Sequence, residues 1–163
     1  MTAINGLPAH VLLVHFIVVL APLTAVSAIL CALWPAARRR LVWPTVALAA
    51  VTVALTPLTT SAGEWLYNLR SKPSALLQEH AERGDTMIYG AIGLLVVAAL
   101  LAFVHVREHR TGATTSAIRI AVAVITMVVA IGTIAQVYRI GDSGAQSVWG
   151  DEISHLTSAN SHK

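Results

Sequence analysis

Two histidines stand where the first long apolar run of the chain begins. His10 and His15 lie within residues 6–16, and the residues that follow are nearly all apolar. Imidazole is the commonest metal ligand and also carries protons near neutral pH. An ionisable side chain at membrane depth is costly, so it usually faces a bundle interior and serves a site. We therefore expect a functional centre near these histidines.

The two imidazoles are not equivalent in position. His15 lies about 7.5 Å deeper than His10, at a helical rise of roughly 1.5 Å per residue. A spacing of five residues turns the two side chains about 140° apart on a regular helix, so an undistorted helix cannot direct both at one ion. His10 also suits the headgroup layer. An unpaired imidazole in lipid is unfavourable, and His15 is therefore the stronger candidate ligand.

Further ionisable side chains are predicted to gather at the same membrane face. The predicted metal ligands are His10, His15, Glu64, His80, Asp85 and Asp142. Mixed sets of imidazole and carboxylate suit Zn, Fe or Mn, so a divalent metal, Zn or Fe, is the favoured cofactor. Such a site could activate water, with Glu64 or Glu79 as the base and Arg139 stabilising charge. Whether the protein is an enzyme stays open at this point.

Each of these side chains also has a purely structural interpretation. Glu64 follows Ser61 at the spacing of a capping box. Asp85 suits the N-cap of the third apolar run. Arg139 could bind a lipid phosphate or hold a carboxylate in place. His80 suits the surface of an interfacial helix.

A b-type haem is the alternative cofactor. Two axial histidines must come from different helices at a similar depth. His15 and His105 lie roughly 28 Å apart along the membrane normal at 1.5 Å per residue, so they cannot share a haem. The remaining possibilities are His15 with His80, or His15 alone. His105 and His109 have the i,i+4 spacing of a metal pair, but no carboxylate set accompanies them at that basic edge, and we expect no site there.

The composition is that of a membrane protein. Of 163 residues, 56% are hydrophobic and only 12% are charged, and the mean hydropathy is +0.70. A soluble domain is about a quarter charged. The net charge of +3 is spread without a basic stripe, so we expect no nucleic-acid partner. The one cysteine, Cys31, lies inside an apolar run and cannot form an internal disulfide.

Four apolar runs reach the roughly 20 residues that cross a bilayer. They cover residues 10–34, 42–63, 86–106 and 117–140. The sequence therefore predicts an all-α, four-helix transmembrane bundle in one domain over residues 1–150. The connector over 64–85 should be amphipathic, with Ser74 capping a short helix over Ala75–Arg83. Residues 151–163 are predicted to form a disordered tail.

The arginines suggest an orientation in the cell membrane. Six basic residues flank the turns near residues 38–40 and 107–119, and five lie on the other side. The six abut the spans in short loops, where the positive-inside rule has most force. Both termini and the 64–85 connector are therefore predicted to be extracytoplasmic. An even number of spans then brings the start of the first and third spans and the end of the second and fourth to that face.

Several motifs together resemble one family. They are Leu7-Pro-Ala-His10, His15-Phe16, Ser61-Ala-Gly-Glu64-Trp65, Glu79-His80-Ala-Glu-Arg-Gly-Asp85 and the segment from Arg139 to Gly150. The chain resembles, over residues 6–150, the bacterial membrane proteins grouped as domain of unknown function 2231. The resemblance implies a four-span protein of no settled activity, sometimes joined to redox modules such as a Rieske iron–sulphur domain. It also implies that relatives have His at the position of Asp142. A position that accepts either His or Asp is more typical of a metal ligand than of a haem ligand.

Three functions remain in competition. The first is the metal site at the outer face, with a redox or hydrolytic role. The second is a haem b electron-transfer subunit associated with a respiratory or redox complex. The third is a non-catalytic accessory subunit, whose small-residue helix faces would pack against a larger membrane complex or a second copy of the chain. The lipid bilayer is the one partner that all three share.

Overall fold

Five helices make up most of the part of the chain that the structure describes. The computed structural model describes residues 3–4, 7–69, 72–112 and 114–161, with side chains described only between residues 9 and 150. The helices are α1 (Ala9–Leu33), α2 (Pro35–Asn68), α3 (Ala75–Asp85), α4 (Met87–Thr111) and α5 (Ser116–Ser161). Ahead of α1, the two-residue strands β1 (Ala3–Ile4) and β2 (Leu7–Pro8) pair antiparallel. The prediction of an all-α bundle is confirmed.

Four helical segments are long and apolar enough to cross a membrane, and they contain α1, α2, α4 and α5. Helix α1 packs on α2 and α5, and α4 packs on the same two helices, which closes a four-helix bundle. Short connections make consecutive spans antiparallel. The start of α1, the end of α2, α3 and the start of α4 therefore lie at one end, which we call the histidine end. Residues 34–40 and 107–116 lie at the other, the arginine end.

The turn between the first two spans is shorter than the sequence predicted. Only Trp34 separates α1 from α2, with an extended backbone at φ −124° and ψ 106°. Pro35 follows at the first helical position, where its missing N–H costs nothing. Residues 38–40, which we expected in a loop, are therefore helical.

The helix boundaries at the histidine end test three predictions about helix caps. The Ser74 hydroxyl accepts a hydrogen bond from the Leu77 backbone N–H, which confirms the predicted cap of α3. The capping box of Ser61 and Glu64 is wrong, because α2 continues through both residues to Asn68. The capping role of Asp85 is also wrong, because Asp85 ends α3 and Thr86 precedes α4. At the far end of the chain, α5 is helical through Ser161, where we expected a disordered tail.

Small residues fill the bundle interior. Ala21, Ala25 and Ala28 of α1 are fully buried, as are Ala91 and Ala98 of α4. Small side chains let helix backbones approach closely, which favours packing where lipid supplies no hydrophobic drive. Large apolar side chains instead cover the outside of the bundle, where they contact the bilayer; examples are Val19, Phe103, Ile120 and Val128.

Four buried threonines donate their hydroxyl hydrogens to backbone carbonyls of their own helices. Thr24, Thr45, Thr52 and Thr56 are essentially inaccessible, and each donates its hydroxyl hydrogen to the carbonyl four residues earlier, at 2.7–2.8 Å. Without water in the hydrocarbon layer, a polar group must find its partner inside the protein. These local bonds allow polar side chains in the core; the Thr45 hydroxyl also lies 3.7 Å from the Cys31 sulphur on α1.

A buried ion pair connects α2 and α4 at the arginine end. Arg38, only 3% exposed, donates from Nη2 to both carboxylate oxygens of Glu108, at 3.0 and 2.8 Å. Its Nη1 donates to the Cys31 carbonyl at 3.4 Å. A residue predicted to flank the membrane in a loop thus joins α1, α2 and α4. A charge-assisted hydrogen bond of this kind is among the stronger polar contacts in proteins.

We expect the two members of this pair to respond unequally to truncation. Glu108→Ala leaves the guanidinium buried without a counter-charge and should cost about 3–5 kcal/mol of stability. Arg38→Ala should cost less, because the Glu108 side chain is 28% exposed and can regain water. Thermal unfolding in detergent micelles measures both.

Removing both charges tests the reason for the difference. The double variant Arg38→Met/Glu108→Leu should be more stable than Glu108→Ala, since no buried charge remains. Arg39→Ala is the matched control at an exposed neighbouring position and should change stability by less than about 0.5 kcal/mol. Equal losses for Glu108→Ala and Arg39→Ala would contradict the role of the pair.

Candidate functional site

A cavity of about 550 Å³ opens at the histidine end. It lies between α1, α2, α3 and α5, and that volume falls within the roughly 300–1,000 Å³ of small-molecule and cofactor sites. Most of its wall is apolar, including Val11, Val14, Ile17, Val18, Leu66, Leu77, Met87, Val137, Ile140 and Val148. His10 from α1 and His80 from α3 line the same cavity. Two imidazoles from different helices thus face one largely apolar space.

The protonation pattern of His10 follows from its hydrogen bond. Its Nδ1 lies 2.9 Å from the backbone carbonyl oxygen of Thr59 on α2. A carbonyl oxygen can only accept, so Nδ1 carries the hydrogen and donates it. In the neutral ring Nε2 then keeps its lone pair, the form in which imidazole ligates a metal.

His80 is held in the same way on another pair of helices. Its Nδ1 donates to the carbonyl oxygen of Ile140 on α5 at 3.1 Å. The Ser143 hydroxyl lies 3.4 Å from the same nitrogen and itself donates to the Ile140 carbonyl at 3.0 Å. His80 therefore also keeps Nε2 as its free ring nitrogen. Burial lowers the pKa of His80 below its usual value, and the neighbouring His10 adds to that effect.

His15 lies elsewhere. It is exposed on the outside of α1, binds the Val11 carbonyl of its own helix, and is not among the residues lining the cavity. We expected His15 to be the ligand because it lies deeper, and the structure instead brings His10 together with His80. The reason is the helical angle between the two positions: when His10 faces the neighbouring helices, His15 faces away.

The predicted carboxylates divide between the cavity rim and the open surface. Glu64 and Asp85 line the cavity, and both are exposed. Asp142 does not line it; its carboxylate accepts a hydrogen bond from Gln146 on the exposed side of α5 at 2.9 Å. In the described part of the chain, no group of three or more His, Cys, Asp or Glu side chains is placed to hold a metal ion.

The other candidate catalytic residues lie outside the cavity. Glu79 forms an ion pair with Arg83 one turn further along α3. Arg139 lines a separate shallow groove with Gln136, and its backbone carbonyl accepts from Arg83 Nη1 at 3.5 Å. Neither side chain is brought to the two imidazoles.

At the arginine end, the rings of His105 and His109 stack, with centroids 6.4 Å apart and planes 6° from parallel.

Sequence reasoning missed the backbone part of this site. Thr59 and Ile140 contribute through their carbonyl oxygens, and Gly63 and Gly144 lie directly against the two imidazoles. A backbone carbonyl has no residue type, so no motif reports it. The one available signal was that each glycine follows its carbonyl by four residues, which has meaning only once the partner helix is known.

Comparison with known proteins gives a family and no activity. The sequence profile of a family described as "Predicted membrane protein (DUF2231)" matches residues 6–156. No curated protein and no solved structure matches the chain. The match covers nearly the whole chain and agrees with the four apolar spans of the bundle. This protein belongs to the DUF2231 family of predicted membrane proteins.

Proposed function

We propose that this protein binds a b-type haem at the histidine end and transfers electrons at that membrane surface. His10 and His80 would hold it through their Nε2 atoms. The observation that carries the proposal is the shared arrangement of the two rings: each donates Nδ1–H to a carbonyl of a neighbouring helix and lines the same cavity. A ligating histidine normally has its other ring nitrogen fixed by such a hydrogen bond.

The cavity favours haem over a single metal ion. Haem needs only two protein ligands and a largely apolar space of cofactor size. The cavity that His10 and His80 line supports this choice. A structural zinc site takes four protein ligands and a catalytic one takes three. The Zn or Fe site expected from the sequence is the second candidate. Haem ranks above it because no group of three His, Cys, Asp or Glu side chains among the described residues is placed to hold a metal ion.

The residues around the cavity would set the redox properties of the bound haem. Haem supplies one-electron transfer, with a potential set by its axial ligands and surroundings. The carbonyls of Thr59 and Ile140 orient the imidazoles and raise their basicity. The apolar side chains of Ile17, Met87 and Val137 line the cavity and disfavour water there. The exposed carboxylates of Glu64 and Asp85 keep the rim polar.

The histidine end is proposed to face out of the cytoplasm. The arginine end carries Arg39, Arg40, Arg107 and Arg110, all exposed and next to the spans. Such residues favour the cytoplasmic side. The electron partner would then be a redox protein or membrane complex that meets the extracytoplasmic face.

The haem proposal predicts a coloured protein. Chain expressed in a haem-supplied host and purified in detergent should show a Soret band with a six-coordinate, low-spin spectrum. His10→Ala and His80→Ala should each lose that six-coordinate spectrum and most of the bound haem. His15→Ala is the matched control on α1 and His109→Ala the control at the other end; both should leave the spectrum unchanged. Optical spectra and haem extraction measure the result.

A colourless protein would contradict the haem proposal. If elemental analysis then found stoichiometric Zn or Fe that is lost in His10→Ala and in Glu64→Gln, the second candidate would replace it. Loss of haem from His15→Ala with retention in His10→Ala would show that the ligand had been assigned to the wrong histidine.

Orientation is tested by single cysteines at exposed positions. Lys72→Cys at the histidine end should react with a membrane-impermeant maleimide in intact cells, and Thr115→Cys at the arginine end only after permeabilisation. The unsubstituted chain is the control, because its Cys31 is fully buried. The reverse pattern would place the histidine end in the cytoplasm.

A further inference from the structure

Each cavity imidazole lies against a glycine of the helix that binds it. A Cβ atom added to Gly63 would lie 2.8 Å from Cε1 and 2.9 Å from Nδ1 of His10. A Cβ atom added to Gly144 would lie 2.9 Å from Cε1 and 3.2 Å from Nδ1 of His80. Contacts this short leave no room for a methyl group unless the ring moves.

The two glycines stand at a fixed distance along the helix from the carbonyls that the rings bind. His10 binds the carbonyl of Thr59, four residues before Gly63. His80 binds the carbonyl of Ile140, four residues before Gly144. Residues i and i+4 lie on the same helix face, and Cβ is tilted toward the N-terminus. A side chain at i+4 therefore lies over the carbonyl of residue i.

Glycine at that position uncovers the carbonyl oxygen. One of its two lone pairs serves the intrahelical hydrogen bond, and the second becomes accessible to a side chain from outside. Because glycine has no side chain, the imidazole ring can also lie close against the helix and reach that carbonyl oxygen. An added Cβ at Gly132 or Gly141 of α5 would meet no heavy atom within 4 Å. At Gly90 and Gly93 of α4 the nearest atoms belong to Gln136, Thr133 and Val129 and not to an imidazole.

We propose that Gly63 and Gly144 are positioning residues that hold His10 and His80 with Nδ1 on a helix carbonyl and Nε2 free for a ligand. The arrangement occurs twice, on the helix pairs α1/α2 and α3/α5, and neither pair shares a helix with the other. It sets the tautomer and the direction of both rings before any ligand arrives. The identity of the ligand, haem, rests on the proposed function, whereas the positioning itself does not.

A double-mutant cycle tests the positioning in the protein without added haem. Gly63→Ala should lower the melting temperature in detergent, because the methyl group displaces His10 from the Thr59 carbonyl. In the His10→Ala background the same substitution should lower it little or raise it, because the ring is gone. Gly144→Ala should couple with His80→Ala in the same way. Gly141→Ala, which meets open space, is the matched control and should show no coupling to either histidine.

A second measurement reports the ring itself. In protein with ¹⁵N-labelled histidine, neutral His10 and His80 should give the signals of the Nδ1–H tautomer. Gly63→Ala should change the His10 signals toward a mixture and leave those of His80, and Gly144→Ala should do the reverse. If Gly63→Ala does not accumulate, recovery of expression in Gly63→Ala/His10→Ala gives the same evidence of coupling.

The outcomes separate this inference from the haem proposal. Coupling with a Soret band supports both, and haem affinity should then fall roughly 10–100-fold in each glycine variant, as for other groups that orient a ligand. Coupling in a protein that never binds haem supports the positioning and overturns the haem proposal. Additive melting temperatures with unchanged tautomer signals overturn the positioning, whatever the haem content.

Discussion

Backbone carbonyl oxygens are the acceptors on which the polar interior of this protein depends. No water reaches the hydrocarbon layer, so a buried donor must find an acceptor within the bundle. Thr24, Thr45 and Thr52 use the carbonyl one turn back on their own helix. The two cavity histidines use a carbonyl on a neighbouring helix. Even Arg38, which has a carboxylate partner, places its second nitrogen on the Cys31 carbonyl.

This use of the backbone gives the histidine end its chemical character. In many metal sites a carboxylate orients the ligating imidazole. Here a helix performs that task, and it does so without placing a charge in the apolar part of the cavity. The exposed carboxylates of Glu64 and Asp85 stay at the rim. Two imidazoles oriented by helix carbonyls around one largely apolar space are the reason that we propose a large planar cofactor.

The two ends of the bundle differ in how tightly they are closed. At the arginine end, a single extended residue joins α1 to α2, and the Arg38–Glu108 pair ties α2 to α4. At the histidine end, α3 packs on α5 and α2 and leaves the cavity between itself and the spans. An ion pair and a one-residue turn thus connect the spans at one end, and a cavity provides space for a ligand at the other. The family to which the chain belongs carries no assigned activity, so this asymmetry is the main structural guide to one.

Several features could be predicted from the sequence because they depend on local composition. Apolar length alone determined the four spans, and their even number brought the histidines, the connector and the end of the fourth span to one face. The cap at Ser74 followed from its position before a short amphipathic helix. These properties are set by partition into lipid and by local hydrogen bonding, which the residues of one segment decide among themselves.

Which side of each helix faces the interior was decided only by tertiary structure. Helix α1 is apolar on all sides, so hydrophobic periodicity gives it no preferred face, and the 140° between His10 and His15 left two choices. Packing of small residues on α2, α4 and α5 selected the one that buries Ala21, Ala25 and Ala28 and directs His10 at Gly63. The same packing carried Arg38 inward to Glu108. In lipid the outer and inner faces of a span are equally apolar, so the rotation of a helix is fixed by its neighbours and not by its own sequence.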